Sequence, residues 1–371
     1  MQPPHLTVGN LPRKHPARGA ITNATNRYDP HKRVRSDNAF AFDNGWVEDD
    51  LQPVPLSTEV LIDRTQSVIA RNESPDVKFD RSINPYRGCE HGCVYCFARP
   101  THAYLGLSPG LDFETRILAK PYAARLLDRE LRGSNYRCQA IALGSNTDPY
   151  QPIERRWRVT RSVLEVLQAF NHPFTIVTKS AMVVRDLDII APMASRGLAS
   201  VAISLTTLNR SLARRMEPRA ATPAKRLEAI RKLVEARVPT SVMVAPVIPA
   251  LNDIEIEDIL KEAAKAGAAS AGYVMLRLPL EIKGLFHEWL REHEPLKANR
   301  VIARIRETRG GCDYDSTFHK RQTGNGTQAL LLSHRFALTS RRLGLDIEIP
   351  PLDTTQFQVP IATQSQMSLF D

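Results

Sequence analysis

Cys89, Cys93 and Cys96 stand within eight positions of one another in the stretch RGCEHGCVYC, and they are three of the chain's five cysteines. Thiolates separated by three and then two residues can wrap three corners of one metal centre, and Gly88 and Gly92 let the connecting loop turn tightly. Their number raises a question. Structural zinc sites are normally closed by four ligands, and iron–sulfur clusters are usually held by four thiolates. Three leave one coordination position for something else. A zinc site completed by His91 or His102 is the alternative that spacing leaves open.

The elements around this loop are legible as short apolar runs. RSINPYRG (81–88) reads as a first strand, followed by AIALG (140–144), FTIVT (174–178), VAISL (201–205), SVMVAPV (241–247) and YVMLRL (273–278). Each has the length of a buried parallel strand and is rich in β-branched residues. Between them, apolar residues fall at helical spacing: Val163, Val166, Leu167 and Phe170; Leu227, Ile230 and Val234; Ile256, Ile259, Leu260 and Ala263. Strand and helix alternate six times, which calls for a parallel sheet with helical crossovers, either doubly wound or curled into a barrel. In both architectures the loop at the carboxyl end of a strand is where reactive groups are placed, and the cysteines follow the first strand.

The flanks differ in texture. Residues 1–75 read as an extended N-terminal arm and lead-in, partly disordered and basic between Arg13 and Arg35; residues 76–290 form the α/β core. Residues 291–351 are a mostly helical extension with a Gly-containing break at HKRQTGNG (319–326), and 352–371 a polar, flexible tail. No run reaches the roughly 18 apolar residues of a membrane span, and the first twenty residues lack a signal-peptide core. The cysteine pattern is unlike a disulfide framework and fits a reducing cytoplasm. A formal charge of +10 suits an anionic partner, nucleic acid first, or simply a basic enzyme.

With Tyr95 just before the last cysteine, Cys89-x3-Cys93-x2-Cys96 resembles the signature of the radical S-adenosylmethionine (SAM) superfamily. The resemblance implies that the three cysteines hold a [4Fe–4S] cluster whose fourth iron is chelated by SAM. A reducing electron donor then drives cleavage of SAM to a 5′-deoxyadenosyl radical. It also implies a partial (βα)6 TIM-type barrel, in accord with the six repeats. SNTDPYQPIE (145–154), TKS (178–180), MEPRAATPAKRLEAI (216–230) and PVIPALND (246–253) are similar to the spore photoproduct lyase-like, or DNA repair photolyase, group. ARGAITNATNRYDP (17–30) resembles the N-terminal arm of a bacterial subgroup.

SAM offers a zwitterionic methionine end, a ribose diol and an adenine, so its site needs a cation, hydroxyls and an aromatic slot. Lys179 suits the carboxylate. Ser145, Thr147 and Ser204 offer hydroxyls for the amino and ribose groups, and Tyr95 is placed near adenine. Asp148, Glu217 and Arg219 read as polar bracing. One departure stands out: the lyase returns hydrogen to its product from a cysteine after the second strand, where this chain reads GSNTDPY. Cys138 is expected at the barrel's other end and Cys312 outside it, both as ordinary buried cysteines.

ERRWRVTR (154–161) and NRSLARRM (209–216) cluster arginines that suit phosphate contacts or solvated helix faces. At the end of the chain, Gln366, Met367, Ser368, Leu369 and Phe370 are similar to the pentapeptide by which bacterial repair proteins dock on the DNA sliding clamp. The reading is thus a cytoplasmic radical SAM enzyme acting on nucleic acid. The alternatives are the same chemistry on a protein or small molecule, and a non-catalytic metal-containing DNA- or clamp-binding protein.

Overall fold

In a computed structural model, which describes residues 17–29 and 56–361, six parallel strands lie side by side in chain order. They are Arg81–Ile83, Ile141–Leu143, Phe174–Thr178, Ala199–Ser204, Thr240–Val247 and Ser270–Met275. Their registers pair Arg81 with Ile141, Ile141 with Phe174, Phe174 with Ala199, Val201 with Thr240 and Ser241 with Ser270. This order separates the two architectures that periodicity left open. A doubly wound sheet reverses direction at a switch point. Here every strand neighbours its predecessor, so right-handed crossovers bring the helices to one face and the sheet curls around the other. The first strand is flanked by the antiparallel strand Ile69–Arg71, and the sixth meets Leu345 and Asp346. The barrel is therefore partial and open.

Its core follows from the composition of the strands. Ile83, Ile141, Leu143, Phe174, Ile176, Ile203 and Val242 are fully buried. The helices Val159–Ala169, Pro223–Glu235 and Ile256–Lys265 cover them with the same apolar stripes that helical spacing marked out, among them Val163, Leu167, Ile230, Ile259 and Leu260. A second core joins the cysteine loop to the helices Ile282–His293 and Ala298–Glu307 through Val94, Met216, Leu278, Phe286 and Trp289. Trp289 Nε1 donates to Arg215 O at 3.0 Å, so this large side chain is buried with its polar atom satisfied.

Two strands differ from their sequence reading. The expected first strand over 81–88 stops at Ile83, and Tyr86–Arg87 pairs instead with Arg116–Ala119 in a separate three-stranded sheet with Glu59–Ile62. Pro85 lies between the two pieces and has no N–H to continue the ladder. The sixth strand is Ser270–Met275 rather than 273–278, because its register shifts after Tyr273 and Met275 N turns to Gln322 O at 2.7 Å. Beyond it, Ala298–Glu307 and Gly326–Arg342 flank the Gly-containing break. Among the described residues no helix is long and apolar enough to cross a membrane. Gln366, Met367, Leu369 and Phe370 lie outside the described residues.

Candidate active site

The cysteine loop opens just beyond the first strand, and two glycines shape it. Gly88 and Gly92 have φ of 80° and 67°, in the left-handed region that a Cβ disfavours. Space forbids larger residues as well: a Cβ at Gly88 would lie 2.8 Å from His102 Cε1, and one at Gly92 2.7 Å from Glu114 Oε2. The loop backbone is pinned from several sides. Cys89 N donates to Phe113 O at 2.9 Å, Gln151 Nε2 to Gly88 O at 3.1 Å, and Arg99 Nε to Cys93 O at 2.9 Å. Held in this way, Cys89, Cys93 and Cys96 all line one cavity of about 310 Å³ at the carboxyl ends of the parallel strands, and all three thiols are free.

Burial pushes each thiol above its ordinary range, with the Asp148 carboxylate adding to this at Cys89 and Glu217 at Cys93. Three neighbouring thiolates in such a place need a bound cationic centre to compensate them. The zinc alternative fares poorly. His102 Nε2 lies 3.0 Å from Arg116 O, and His102 is not on the cavity wall; His91 is on that wall, but its Nδ1 faces Asp148 Oδ2 at 3.3 Å. Among the described residues no three His, Cys, Asp or Glu side chains close on a single-ion site. Three free thiols on one cavity suit a multi-iron centre with a position to spare.

Lys179, Ser204, Tyr95 and Ser145 line the same cavity. Lys179 Nζ donates to Ser204 Oγ at 3.0 Å and stands 5.8 Å from the centre of the Tyr95 ring. Ser145 Oγ accepts from Asn84 Nδ2 at 3.3 Å. Thr147 departs from the expectation. It is buried away from the cavity, its hydroxyl donating to Tyr86 O at 2.8 Å and its N–H to Asn84 Oδ1 at 3.2 Å. It ties the turn after the second strand to the chain leading into the cysteine loop, and its O–H is spent on that tie.

The bracing residues are wired directly to the loop. Asp148 accepts from Thr178 Oγ1 at 2.7 Å and Lys179 N at 2.8 Å. Burial opposes its charge, but His91 and these donors prevail and hold its carboxyl at about 2. Glu217 accepts from the Tyr95 hydroxyl and from Thr206 with one oxygen and from the Arg226 guanidinium with the other, and all four residues are buried. Arg219 pairs with Glu90 at 3.1 Å, and its N–H donates to His91 O at 3.2 Å.

Residues 83–263, which contain the cysteine loop, match the profile of the Radical SAM superfamily. An uncharacterized protein of Mycobacterium tuberculosis is 35% identical over 295 residues, spanning 78% of this chain and 86% of that protein. The chain belongs to the radical SAM superfamily. A second relative, an uncharacterized protein of Methanocaldococcus jannaschii, is 26% identical over 198 residues, 53% of this chain and 71% of that protein. Among solved structures, spore photoproduct lyase complexed with dinucleoside spore photoproduct matches with a TM-score of 0.53 at 16% identity, covering 76% of this chain and 78% of that one. A variant of the same lyase reaches 0.54. That likeness is one of fold.

Membership makes the chain a radical SAM enzyme and implies a [4Fe–4S] cluster and SAM as its equipment. Several parts of its site escaped the sequence reading. Gln151 and Arg226 lie within the quoted blocks, but no spacing rule marks them as supports for the loop and for Glu217. Arg277 and Phe97 also line the cavity, with the guanidinium 5.0 Å from the ring centre; in the sequence Arg277 is one position of an apolar run. The remaining cysteines need one correction. Cys138 is half-buried just before the second strand, its thiol raised to about 11 by burial, but Cys312 is exposed, beyond a turn in which Gly310 and Gly311 both have positive φ.

Proposed function

We propose that this radical SAM enzyme holds its cluster on Cys89, Cys93 and Cys96, binds SAM beside it through Lys179, Ser204, Ser145 and Tyr95, and acts on nucleic acid. One observation carries the first part: three free thiols and the Lys179 ammonium open onto one cavity at the carboxyl ends of the strands. The cluster, when bound, supplies the electron that cleaves SAM to a 5′-deoxyadenosyl radical. The protein's own groups do the rest. Lys179 has neutral partners, the Ser204 hydroxyl and the Tyr95 ring, so its charge is available to a carboxylate. Glu217 and Arg226 fix the Tyr95 ring by its hydroxyl, and Asp148 fixes the backbone of Lys179. The apolar wall of Val177, Met243, Val274 and Met275 keeps bulk water from a reactive radical.

The nucleic-acid reading rests on the basic side of the cavity. Arg277 stacks on Phe97, and its buried Nε has no hydrogen-bond partner among the described residues, so the cavity offers a guanidinium and an aromatic face together. That pairing suits a phosphodiester and a base. The dinucleoside-bound lyase of the same fold points the same way. The described cavity wall carries no thiol beyond the three cysteines, so hydrogen return from a fourth is not part of this proposal.

The test has two arms. Anaerobically reconstituted enzyme with SAM and dithionite is expected to release 5′-deoxyadenosine. Nucleosides from a deletion strain, compared with wild type by mass spectrometry, are expected to lose or gain a species. Unchanged nucleosides alongside an altered protein modification or metabolite would move the substrate to the rival class.

A further inference from the structure

The segment at residues 18–26 does something that the radical chemistry leaves unassigned. Arg18, Gly19, Ala20 and Ile21 are buried, although the sequence reads as an extended arm. They run over the outer side of the cysteine loop. Gly19 N and Ala20 N donate to the two oxygens of Glu114 at 2.9 and 2.8 Å. Glu114 is fully buried and also takes the Arg99 guanidinium, whose Nε holds Cys93 O. A single carboxylate thus joins the arm to the loop carbonyl between the second and third cysteines.

The fit of arm to loop is close on both chains. A Cβ at Gly19 would fall 1.6 Å from Gly92 O, and a Cβ at Gly92 would strike Glu114. Arg18 spans the next gap, its Nη1 donating to Glu114 O at 2.8 Å and its Nη2 to Leu56 O at 2.6 Å. Further along, Asn23 Nδ2 donates to Asp112 Oδ1 at 2.9 Å while Asp112 N donates to Asn23 Oδ1 at 3.0 Å, and Thr22 Oγ1 donates to Glu288 Oε2, on the helix Ile282–His293, at 2.8 Å. The arm therefore ties the loop to the helix Asp112–Thr115 on one side and to the helix Ile282–His293 on the other.

We infer that residues 18–26 are a strap that holds the cysteine loop in its cluster-receiving form and covers its outer face. Glu114 is the positioning residue through which the strap acts. Without the strap, Gly88 and Gly92 would leave the loop free to open, because glycine resists few backbone conformations. The barrel core contains none of the strap residues, so the loop can loosen while the barrel stays folded.

This inference rests on reading Cys89, Cys93 and Cys96 as cluster ligands, and its test separates the two. In the full-length chain, Gly19→Ala should push the strap off Gly92. In iron-free protein, alkylation of Cys89, Cys93 and Cys96 by iodoacetamide, read by mass spectrometry, is expected to quicken by about tenfold or more. Alkylation of the exposed Cys312 should not change. Hydrogen exchange in the strands Phe174–Thr178 and Ala199–Ser204 should stay as in wild type. The reconstituted variant should also lose iron faster to a chelator and give a weaker or broadened electron paramagnetic resonance signal when reduced. Unchanged alkylation of the three cysteines, with hydrogen exchange showing the strap released, overturns the inference. If Gly19→Ala does not fold, Arg18→Ala decides by the same readouts. Iron and sulfide content of the wild-type protein tests the ligand reading independently.

Discussion

Lys179 and Ser204, at the ends of neighbouring parallel strands, share a 3.0 Å hydrogen bond across the cavity that the three cysteines line. A cation whose partners among the described residues are a hydroxyl and an aromatic ring is poised for an anionic ligand. Lys179→Ala is expected to keep the cluster but weaken SAM binding by about tenfold to a hundredfold, the worth of a charge-assisted hydrogen bond. Equilibrium dialysis of SAM against reconstituted protein measures this. Unchanged affinity would mean that the ammonium does not meet the ligand.

Replacing Cys89, Cys93 or Cys96 singly by Ala should abolish both iron–sulfide content and SAM cleavage. Cys138→Ala and Cys312→Ala should leave both intact, since neither lines the cavity. Persistence of the cluster in all three single variants would sink the ligand assignment.

The Glu217–Arg226 pair is out of solvent and also holds the Tyr95 hydroxyl. Arg226→Met leaves a buried carboxylate without its countercharge, at a cost of about 3–5 kcal/mol. Urea denaturation should show that loss. SAM affinity should fall with it, because Glu217, which anchors the Tyr95 hydroxyl, loses the guanidinium that holds its other oxygen. A variant as stable as wild type would show that Glu217 finds other compensation.

Two buried histidines set an acid limit. Burial lowers His102 and His172 from the ordinary 6.5 to about 4, despite carbonyl contacts with Arg116 and Pro173. The unfolded chain takes up these protons below pH 6.5, whereas the folded chain resists until about 4. Their contribution to stability is therefore complete above 6.5 and is lost as pH falls through this window. Each shift corresponds to about 3 kcal/mol. His172→Gln should flatten the stability–pH slope between these values in denaturation curves; an unaltered slope would mean that His172 is protonated in the fold.

The C-terminal pentapeptide remains a proposal from sequence. If Gln366 to Phe370 docks on a sliding clamp, a Leu369→Ala, Phe370→Ala double variant should lose clamp binding in fluorescence anisotropy while cleaving SAM normally. Binding by two such anchors, worth roughly 3–6 kcal/mol gross before the entropy of association, should be micromolar. A wild-type tail peptide that fails to bind at high clamp concentration ends the idea.

The sequence by itself determined the parts of this enzyme whose signal is local. Cysteine spacing, the two loop glycines and the β-branched runs each depend on neighbours along the chain, so the grouping of Cys89, Cys93 and Cys96 and the second to fifth strands could be read directly. The sixth strand and the false continuation of the first were misplaced where a bulge and Pro85 overrode the apolar pattern. Tertiary structure alone decided what depends on distant partners. Strand order, which separates barrel from doubly wound sheet, is a matter of non-local pairing. Thr147 follows the second strand, where the resemblance puts hydroxyls near SAM, yet its own donates to Tyr86 O. Arg277 looked like one position in an apolar run until the fold set it over Phe97. The strap reads as part of an extended arm because Arg18 and Gly19 form no apolar pattern; in the fold they are buried and hydrogen-bonded to Glu114, 95 residues further along the chain from Gly19, and no periodicity records such a partner.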